Sequence, residues 1–496
     1  MKKYIYLLLF AFNSLCCAQN FTYFNKKLQL PNTNLVLAAT LPLSDGYLVL
    51  GNYINLEERV VFIAKLDMYG ELTWIHSLED SPNLGTGGGS ATGNCLIQID
   101  DNHFAATYGI YKDTTFQDID IALVKFTIEG EIVWKKIYPS IWQEQAYHLL
   151  HTKDKGFLLS GYQETDHFHF YTMKTDSEGE LEWEETYSMD WTSVIVYAHE
   201  TLDGGYIFSG YGESNITRYD MYVVKTNDKG KLEWEKNYGT EKRDIGCKVV
   251  PLNTGEYILT GGIQEDFIDK SYFAKLDANG NIIWEKKYPH WDFFLIQTNI
   301  LIQPDNGFIG VGVFQNEFGR SQPKIIEFNH EGDTLWTKPI TADPNTTVYI
   351  RDIERIENGY VLAGFQNSFA PQYGWILTMD EDGNICSEGR TYAEPDFEGC
   401  DSTVVVTDIP HFDINNPYSI QFTPNPANLQ TTIHYQIPKD GVLKVYDYQG
   451  KELETYPLIA NERKFLLKVT DWTSGLYFYK VSIEGKEVDS GKLLID

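Results

Sequence analysis

The chain is poor in cysteine, in basic residues, in helical patterning and in long apolar runs. Six cysteines occur in 496 residues, and Cys16 and Cys17 fall in the first eighteen, leaving Cys95, Cys247, Cys386 and Cys400. That is too few for a disulfide-built scaffold, so a hydrophobic core must hold the fold. Lys and Arg number 40 against 70 Asp and Glu, a net charge of −30 that becomes −32 once Lys2 and Lys3 are removed with a leader. Such a surface repels polyanions and excludes nucleic acid and anionic lipid as partners. The one marked apolar run, Tyr4 to Phe12, is too short to cross a bilayer, so no transmembrane segment is expected. No stretch sustains a helical stripe; the short runs alternate with period two and are rich in Val, Ile, Tyr and Phe.

What is present is a repeat. Asp277-Ala-Asn-Gly-Asn-Ile-Ile-Trp284-Glu-Lys-Lys-Tyr288, preceded by Gly255-Glu-Tyr-Ile-Leu-Thr-Gly261, is written again and again. The Gly-Tyr half occupies 45–51, 155–161, 204–210, 255–261, 306–312 and 358–364, with a worn copy at 102–108. The turn half starts at Asp67, Thr127, Asp176, Asn227, Asp277, Asn329 and Asp380. Trp74, Trp134, Trp183, Trp234, Trp284 and Trp336 close six copies at spacings of 60, 49, 51, 50 and 52, and Cys386 stands where the seventh Trp is due. A period of this length means a solenoid, propeller or array. Four short strands per unit, joined by Asp-x-x-Gly turns, fit one propeller blade. Phe24-Asn-Lys-Lys-Leu28 matches Trp284-Glu-Lys-Lys-Tyr288 in order, so the N-terminal strand is expected to supply the outer strand of the last blade and leave no open edge. The expected fold is all-β: a seven-bladed β-propeller over 19–402.

Met1-Lys-Lys, the apolar run and Asn13-Ser-Leu-Cys-Cys-Ala-Gln19 read as a secretory signal peptide over 1–18, cut after Ala18. No small residue precedes Cys16 in the manner of a lipoprotein site. In an exported chain Cys386 and Cys400 are expected to pair where the ring closes, worth about 3 kcal/mol for a loop of that size. Cys95 and Cys247 belong to non-adjacent blades and are expected to be buried thiols.

The repeated Trp and the repeated Lys65, Lys125, Lys174, Lys225 and Lys275 read as scaffold, because a catalytic centre occurs once. Asp166-His-Phe-His169 places His167 and His169 on one face of a strand, but no third metal ligand can be named. Gly85 to Gly93 lacks the Lys-Ser/Thr ending of a phosphate loop. Carboxylates are many, and no loop carries calcium-ligand spacing. No catalytic constellation, metal or cofactor is therefore expected. Residues that break the repeat between a Trp strand and the next inner strand, Trp142, Trp191 and Trp291, mark the expected ligand face. Asp-x-x-Gly-x-x-x-Trp also resembles the docking motif of quinoprotein dehydrogenase propellers. With seven copies and no vicinal cysteine pair after the leader, that resemblance extends to blade grammar alone.

Beyond Cys400 the grammar changes: Thr403 to Tyr418 reads as a linker, and 419–496 as a small antiparallel, Ig-like sandwich. Pro424-Asn425-Pro426, Gly450-Lys451, Gly475-Leu476-Tyr477 and Gly491-Lys492 appear in order. This tail resembles the type A C-terminal sorting domain of the type IX secretion system of Bacteroidetes. The resemblance implies engagement of that machinery, passage through the outer membrane, and a secreted or surface address. The expected function is non-enzymatic binding of a glycan or protein at the cell surface. The alternative is a secreted polysaccharide hydrolase or lyase, whose signature would be a single cluster of His, Tyr and paired carboxylates at the channel mouth.

Overall fold

The computed structural model describes residues 23–29, 33–54, 59–78, 94–111, 119–189, 191–213, 219–265, 268–289, 300–315, 320–340, 346–367, 371–385, 401–405, 419–423, 427, 430–437, 439–460, 464–470 and 472–495. Among these there is no helix. The signal-peptide expectation, Cys386, Cys400 and Trp291 lie outside the described residues.

Residues 34–77, 96–138, 143–187, 193–238, 245–289 and 300–339 each form a four-stranded antiparallel sheet with its strands in chain order. A last sheet takes three strands from 348–380, then Asn25–Gln29, then Asp401–Val405. The turn before each fourth strand is built by its first side chain. Asp277 Oδ1 accepts the N–H groups of Asn279 (2.9 Å) and Asn281 (2.8 Å), while Gly280 sits at φ +74°. The positive φ demands glycine, and the acceptor favours Asp or Asn.

That glycine also receives the neighbouring sheet. A Cβ on Gly332 would lie 2.7 Å from the Trp284 ring, and the same contact joins Trp74 to Gly130, Trp134 to Gly179, Trp183 to Gly230, Trp234 to Gly280 and Trp336 to Gly383. Two residues after the Trp, lysine reaches forward: Lys136 pairs with Glu180 at 2.6 Å and Lys286 pairs with Asp333. Four residues after it, tyrosine donates to the glycine carbonyl, as in Tyr138 to Gly179 (2.8 Å) and Tyr238 to Gly280 (2.6 Å). Each buried apolar cluster accordingly spans two neighbouring sheets. Leu48, Val61 and Trp74 pack with Phe104 and Val124, and Ile258 and Phe273 with Phe308 and Phe328.

The last sheet packs on the first. Leu35 and Leu37 meet Val361, Ala363 and Ile376 in one cluster, and the Leu35 N–H donates to the Gln372 carbonyl at 3.1 Å. Asn25–Gln29 pairs antiparallel with Tyr373–Asp380, and its leading aromatic, Phe24, lies on Gly70, where a Cβ would come within 2.7 Å. Lys26 reaches Glu71 at 2.6 Å, the counterpart of Lys286 on Asp333. Asn25 Oδ1 accepts the Trp375 indole N–H at 2.6 Å.

One expectation is corrected here. Thr403 is not the start of a free linker, because Asp401–Val405 runs as a strand parallel to Asn25–Gln29, with Lys27 opposite Thr403. The boundary drawn at 402 therefore falls inside a strand. The physical reason is the outer edge of Asn25–Gln29, whose backbone groups would otherwise stay unpaired.

The tail forms a three-stranded and a four-stranded sheet around one apolar core that includes Ile433, Leu443, Val445, Tyr479 and Leu493.

Phe24 is 1 % exposed. Phe24→Ala is expected to lower unfolding free energy by about 3–4 kcal/mol, as for other buried aromatic truncations, whereas Lys26→Ala, whose partner Glu71 is solvent-exposed, should cost about 1 kcal/mol or less. Urea denaturation of the two variants against the parent checks this ordering.

Candidate functional site

The closing glycine of each Gly-Tyr half has a second role. In five sheets the first strand is irregular opposite it, between Leu37 and Ala39, Ala146 and His148, Ile195 and Tyr197, Ile245 and Lys248, and Ile350 and Asp352. The bulge tips a carbonyl toward the second strand. A Cβ on Gly161 would lie 1.9 Å from the Gln145 carbonyl oxygen, and one on Gly210 would lie 1.9 Å from that of Val194. Bulges re-aim side chains. Here they put one residue per sheet at the same level: Ala39, His148, Tyr197, Lys248 and Asp352. Cys95, whose carbonyl accepts the Thr107 N–H at 2.9 Å, holds the same position in the second sheet. None of the six is more than 5 % exposed.

Three of these side chains, drawn from different sheets, meet. The His148 ring lies 4.7 Å from Tyr197 and 6.1 Å from His199, and Tyr197 lies 5.4 Å from His199. Lys248 Nζ stands 3.4 Å from the centre of the Tyr197 ring. The Asn94 amide donates to His148 Nε2 at 2.8 Å, which leaves Nδ1 carrying the proton. The Asp352 carboxylate accepts the Thr40 N–H (2.8 Å) and the Ile353 N–H (3.0 Å). His148 Nδ1 and His199 Nε2 are buried without a hydrogen-bond partner among the described residues.

Burial sets the protonation of the cluster. It pushes the Cys95 thiol up to about 12, with the Asp352 charge adding to the effect, so this thiol is no nucleophile. It holds His148 well below the ordinary imidazole value and His199 down to about 3; the neighbouring His199 adds to the lowering of His148, and the positive charge of Lys248 adds to it in both. It lowers Lys248, against the pull of Asp352 and Glu354. Glu354 rises to about 8 through burial and the neighbouring Asp352. Near neutral pH both imidazoles are uncharged. The arrangement offers neutral donors and acceptors and one lysine among carboxylates.

Sequence reasoning did not nominate these residues. A signal for them exists. His148, Tyr197 and Lys248 each stand thirteen residues ahead of the closing glycine, at Gly161, Gly210 and Gly261. It is the position where the copies agree in backbone role and disagree in chemistry.

The expected ligand-face residues lie elsewhere. Trp142 (42 % exposed) and Trp191 (47 %) lie one and two residues ahead of the first strands of the third and fourth sheets, which are neighbours. The His167 ring, on the turn between the second and third strands of the third sheet, lies 5.3 Å from the Trp191 ring at 36°. The Trp191 N–H donates to the Glu213 carbonyl at 3.1 Å, which fixes its backbone. His167 and His169 both face Asp166, at 3.8 and 3.4 Å, and no group of three metal-ligating side chains occurs among the described residues. The repeated lysines are scaffold: Lys174 bridges Asp154 and Glu182, and Lys225 bridges Asp203 and Glu233. Cys95 is a buried free thiol; the Cys247 side chain lies outside the described residues.

In the tail, Gly450 (φ +81°) and Lys451 complete a turn on Asp447, whose carboxylate accepts the Lys451 N–H at 2.9 Å. Gly475, Leu476 and Tyr477 open a strand, with the Tyr477 hydroxyl donating to the Thr473 carbonyl at 2.7 Å. Gly491 accepts the flat of Tyr479, whose ring would meet a Cβ at 2.7 Å, and Lys492 continues the same strand. Pro424, Asn425 and Pro426 lie outside the described residues. Residues 421–496 match the family described as the secretion system C-terminal sorting domain. The tail is a type IX sorting domain. It marks the protein as secreted and attached to the outer cell surface, and it implies interaction with the type IX machinery. No helix among the described residues is long and apolar enough to cross a membrane.

No curated protein matches the chain. Solved structures similar to it include the polysaccharide lyase Uly1 (9 % identity, TM-score 0.45, 69 % of this chain and 89 % of that one). The β-propeller domain of the Trilobed protease from Pyrococcus furiosus is another (11 %, 0.40, 70 % and 95 %), as is the Neurospora crassa Pan2 WD40 domain (9 %, 0.41, 69 % and 88 %). At such distances none of them bears on activity.

Two outcomes follow from the cluster. A histidine kept neutral by the fold makes the unfolded chain bind more protons below its ordinary value of about 6.5, so stability falls as pH drops from there toward 3. His199→Gln should remove up to about 1.4 kcal/mol per pH unit of that slope, read from denaturation midpoints of variant and parent at matched pH. Gly210→Ala, which drives a Cβ into the Val194 carbonyl, should destabilise by about 2 kcal/mol or more in the same assay.

Proposed function

We propose that the chain from residue 19 through the strand Asp401–Val405 is a seven-bladed β-propeller closed by the N-terminal strand, carried to the cell surface by an Ig-like sorting sandwich at 419–496. Its function on this reading is non-enzymatic binding of a glycan through the face that carries Trp142 and Trp191, with Trp291 as a further contact. The observation that carries it is the pair of half-exposed indoles at equivalent positions of neighbouring sheets. Isolated surface residues are commonplace, but two large half-exposed aromatics recur at one register, one of them backed by a histidine ring. A disulfide between Cys386 and Cys400 would staple the closing blade.

A second reading, a polysaccharide hydrolase or lyase, draws on the single-copy cluster of His148, Tyr197, His199, Lys248, Asp352 and Glu354. Four of these, His148, Tyr197, Lys248 and Asp352, are buried while His199 and Glu354 are half-buried, and the burial of the four weighs against it, since a polymer must reach the reacting groups.

The mature protein incubated with a panel of soluble polysaccharides separates the two. Retention without new chain ends, reduced about tenfold in Trp191→Ala, is the result expected for binding. New reducing or unsaturated ends, abolished in Tyr197→Phe, would replace the binding reading by the enzymatic one.

A further inference from the structure

The four-stranded sheet of the tail has two unlike faces. Strands Glu452–Leu458, Gly441–Tyr446, Gly475–Ile483 and Lys486–Ile495 lie side by side in that order. Leu443, Val445, Tyr477, Tyr479 and Leu493 point into the apolar core. Their neighbours along each strand therefore point the other way, where polar residues are the rule. On that outward face Leu476 stands directly opposite Leu494, each 38 % exposed, and Phe478 stands opposite both Tyr446 and Lys492. The next row sets Lys444 directly opposite Lys480. Neither feature adds to the core. Two lysines facing each other across paired strands repel, and the exposed ion pairs that flank them, Lys444 with Glu452 and Lys480 with Glu487 at 2.8 Å each, screen this only weakly. Leu476 and Lys492 belong to the motifs that make the tail resemble a sorting domain. The fold accounts for other residues of those motifs: Tyr477 is buried, and Gly491 makes room for the Tyr479 ring. It does not account for the outward leucine and lysine.

We propose that this outward face is the surface by which the tail docks on the type IX machinery, and that its partner there is a protein surface with an apolar seat edged by carboxylates. The tail implies interaction with that machinery, so a surface for it must exist. Leucine and phenylalanine side by side supply an apolar anchor, and the lysines beside them supply the charge that an acidic edge would meet. Other occupants fit less well. Residues 419–496 hold nine Lys or Arg against ten Asp or Glu, so the net charge of −30 lies almost wholly in residues 1–418. An anionic membrane would repel that bulk. A second copy of the tail, docked face to face, would set Lys444 and Lys480 against the same two lysines.

The test expresses the full chain in a bacterium that has a type IX system and measures the fraction reaching the cell surface, by protease access to intact cells. Surface levels should fall about tenfold for Leu476→Ser with Leu494→Ser, and about threefold for Lys444→Glu with Lys480→Glu. Leu466→Ser, at a leucine 50 % exposed on the tail's other sheet, should keep the parent's level. Denaturation midpoints of the purified chains, expected to equal the parent's, separate lost docking from lost folding. Should the leucine pair shift its midpoint, the exposed lysine pair carries the test. Parent levels in both pairs would overturn the proposal, and an equal loss in Leu466→Ser would overturn the assignment to this face. Loss in the leucine pair alone would overturn the carboxylate edge. Binding of the purified chain to anionic phospholipid vesicles, lost in the lysine pair, would replace the protein partner by a membrane.

Discussion

The contact on which the rest depends is an aromatic ring laid on a glycine of the next sheet. The glycine is there because the turn needs a positive φ, and its missing side chain leaves a flat seat that the neighbouring Trp fills. One residue therefore satisfies a local backbone demand and an inter-sheet packing demand together. Lysine and tyrosine two and four residues past the ring reach the same turn, so ring, charge and hydroxyl all report one register. A sheet slipped by one residue would lose all three.

Because that contact is directional, the first sheet needs a donor ring from before it in space, although nothing precedes it in the repeat. Phe24 supplies the ring and Lys26 the charge, and Asn25–Gln29 becomes an outer strand of the last sheet. Asp401–Val405 then lies along it, so the two ends of the ring-forming chain lie side by side just before the sorting tail begins. The strand leading into the tail thus helps hold the first strand among the described residues.

The same economy governs the axis. A second glycine in five of the copies admits the bulge of the first strand, and the bulge re-aims one side chain. Backbone geometry is held constant from copy to copy while the side chain is free to differ, which is how Cys95, His148, Tyr197, Lys248 and Asp352 come to share one level. Their burial removes the charge of the imidazoles and silences the thiol. The exposed indoles at the loop ends are under no such constraint.

The sequence by itself determined the strand-and-turn grammar and the address. Asp-x-x-Gly and the Gly-Tyr runs are local demands, readable because a turn's φ and a strand's alternation involve only neighbouring residues. The sorting motifs are likewise short and ordered. Phe24-Asn-Lys-Lys-Leu28 was legible as a displaced copy because it repeats the ring-and-lysine spacing. Only the tertiary structure decided that Asp401–Val405 is a strand rather than linker, since its partner is almost the whole chain away. Only it decided, too, that His148, Tyr197 and Lys248 touch and that the Asp352 charge acts on Lys248. Each stands alone in its own copy, and their meeting is made by closing the sheets on one another, which brings distant positions within contact and takes them out of water.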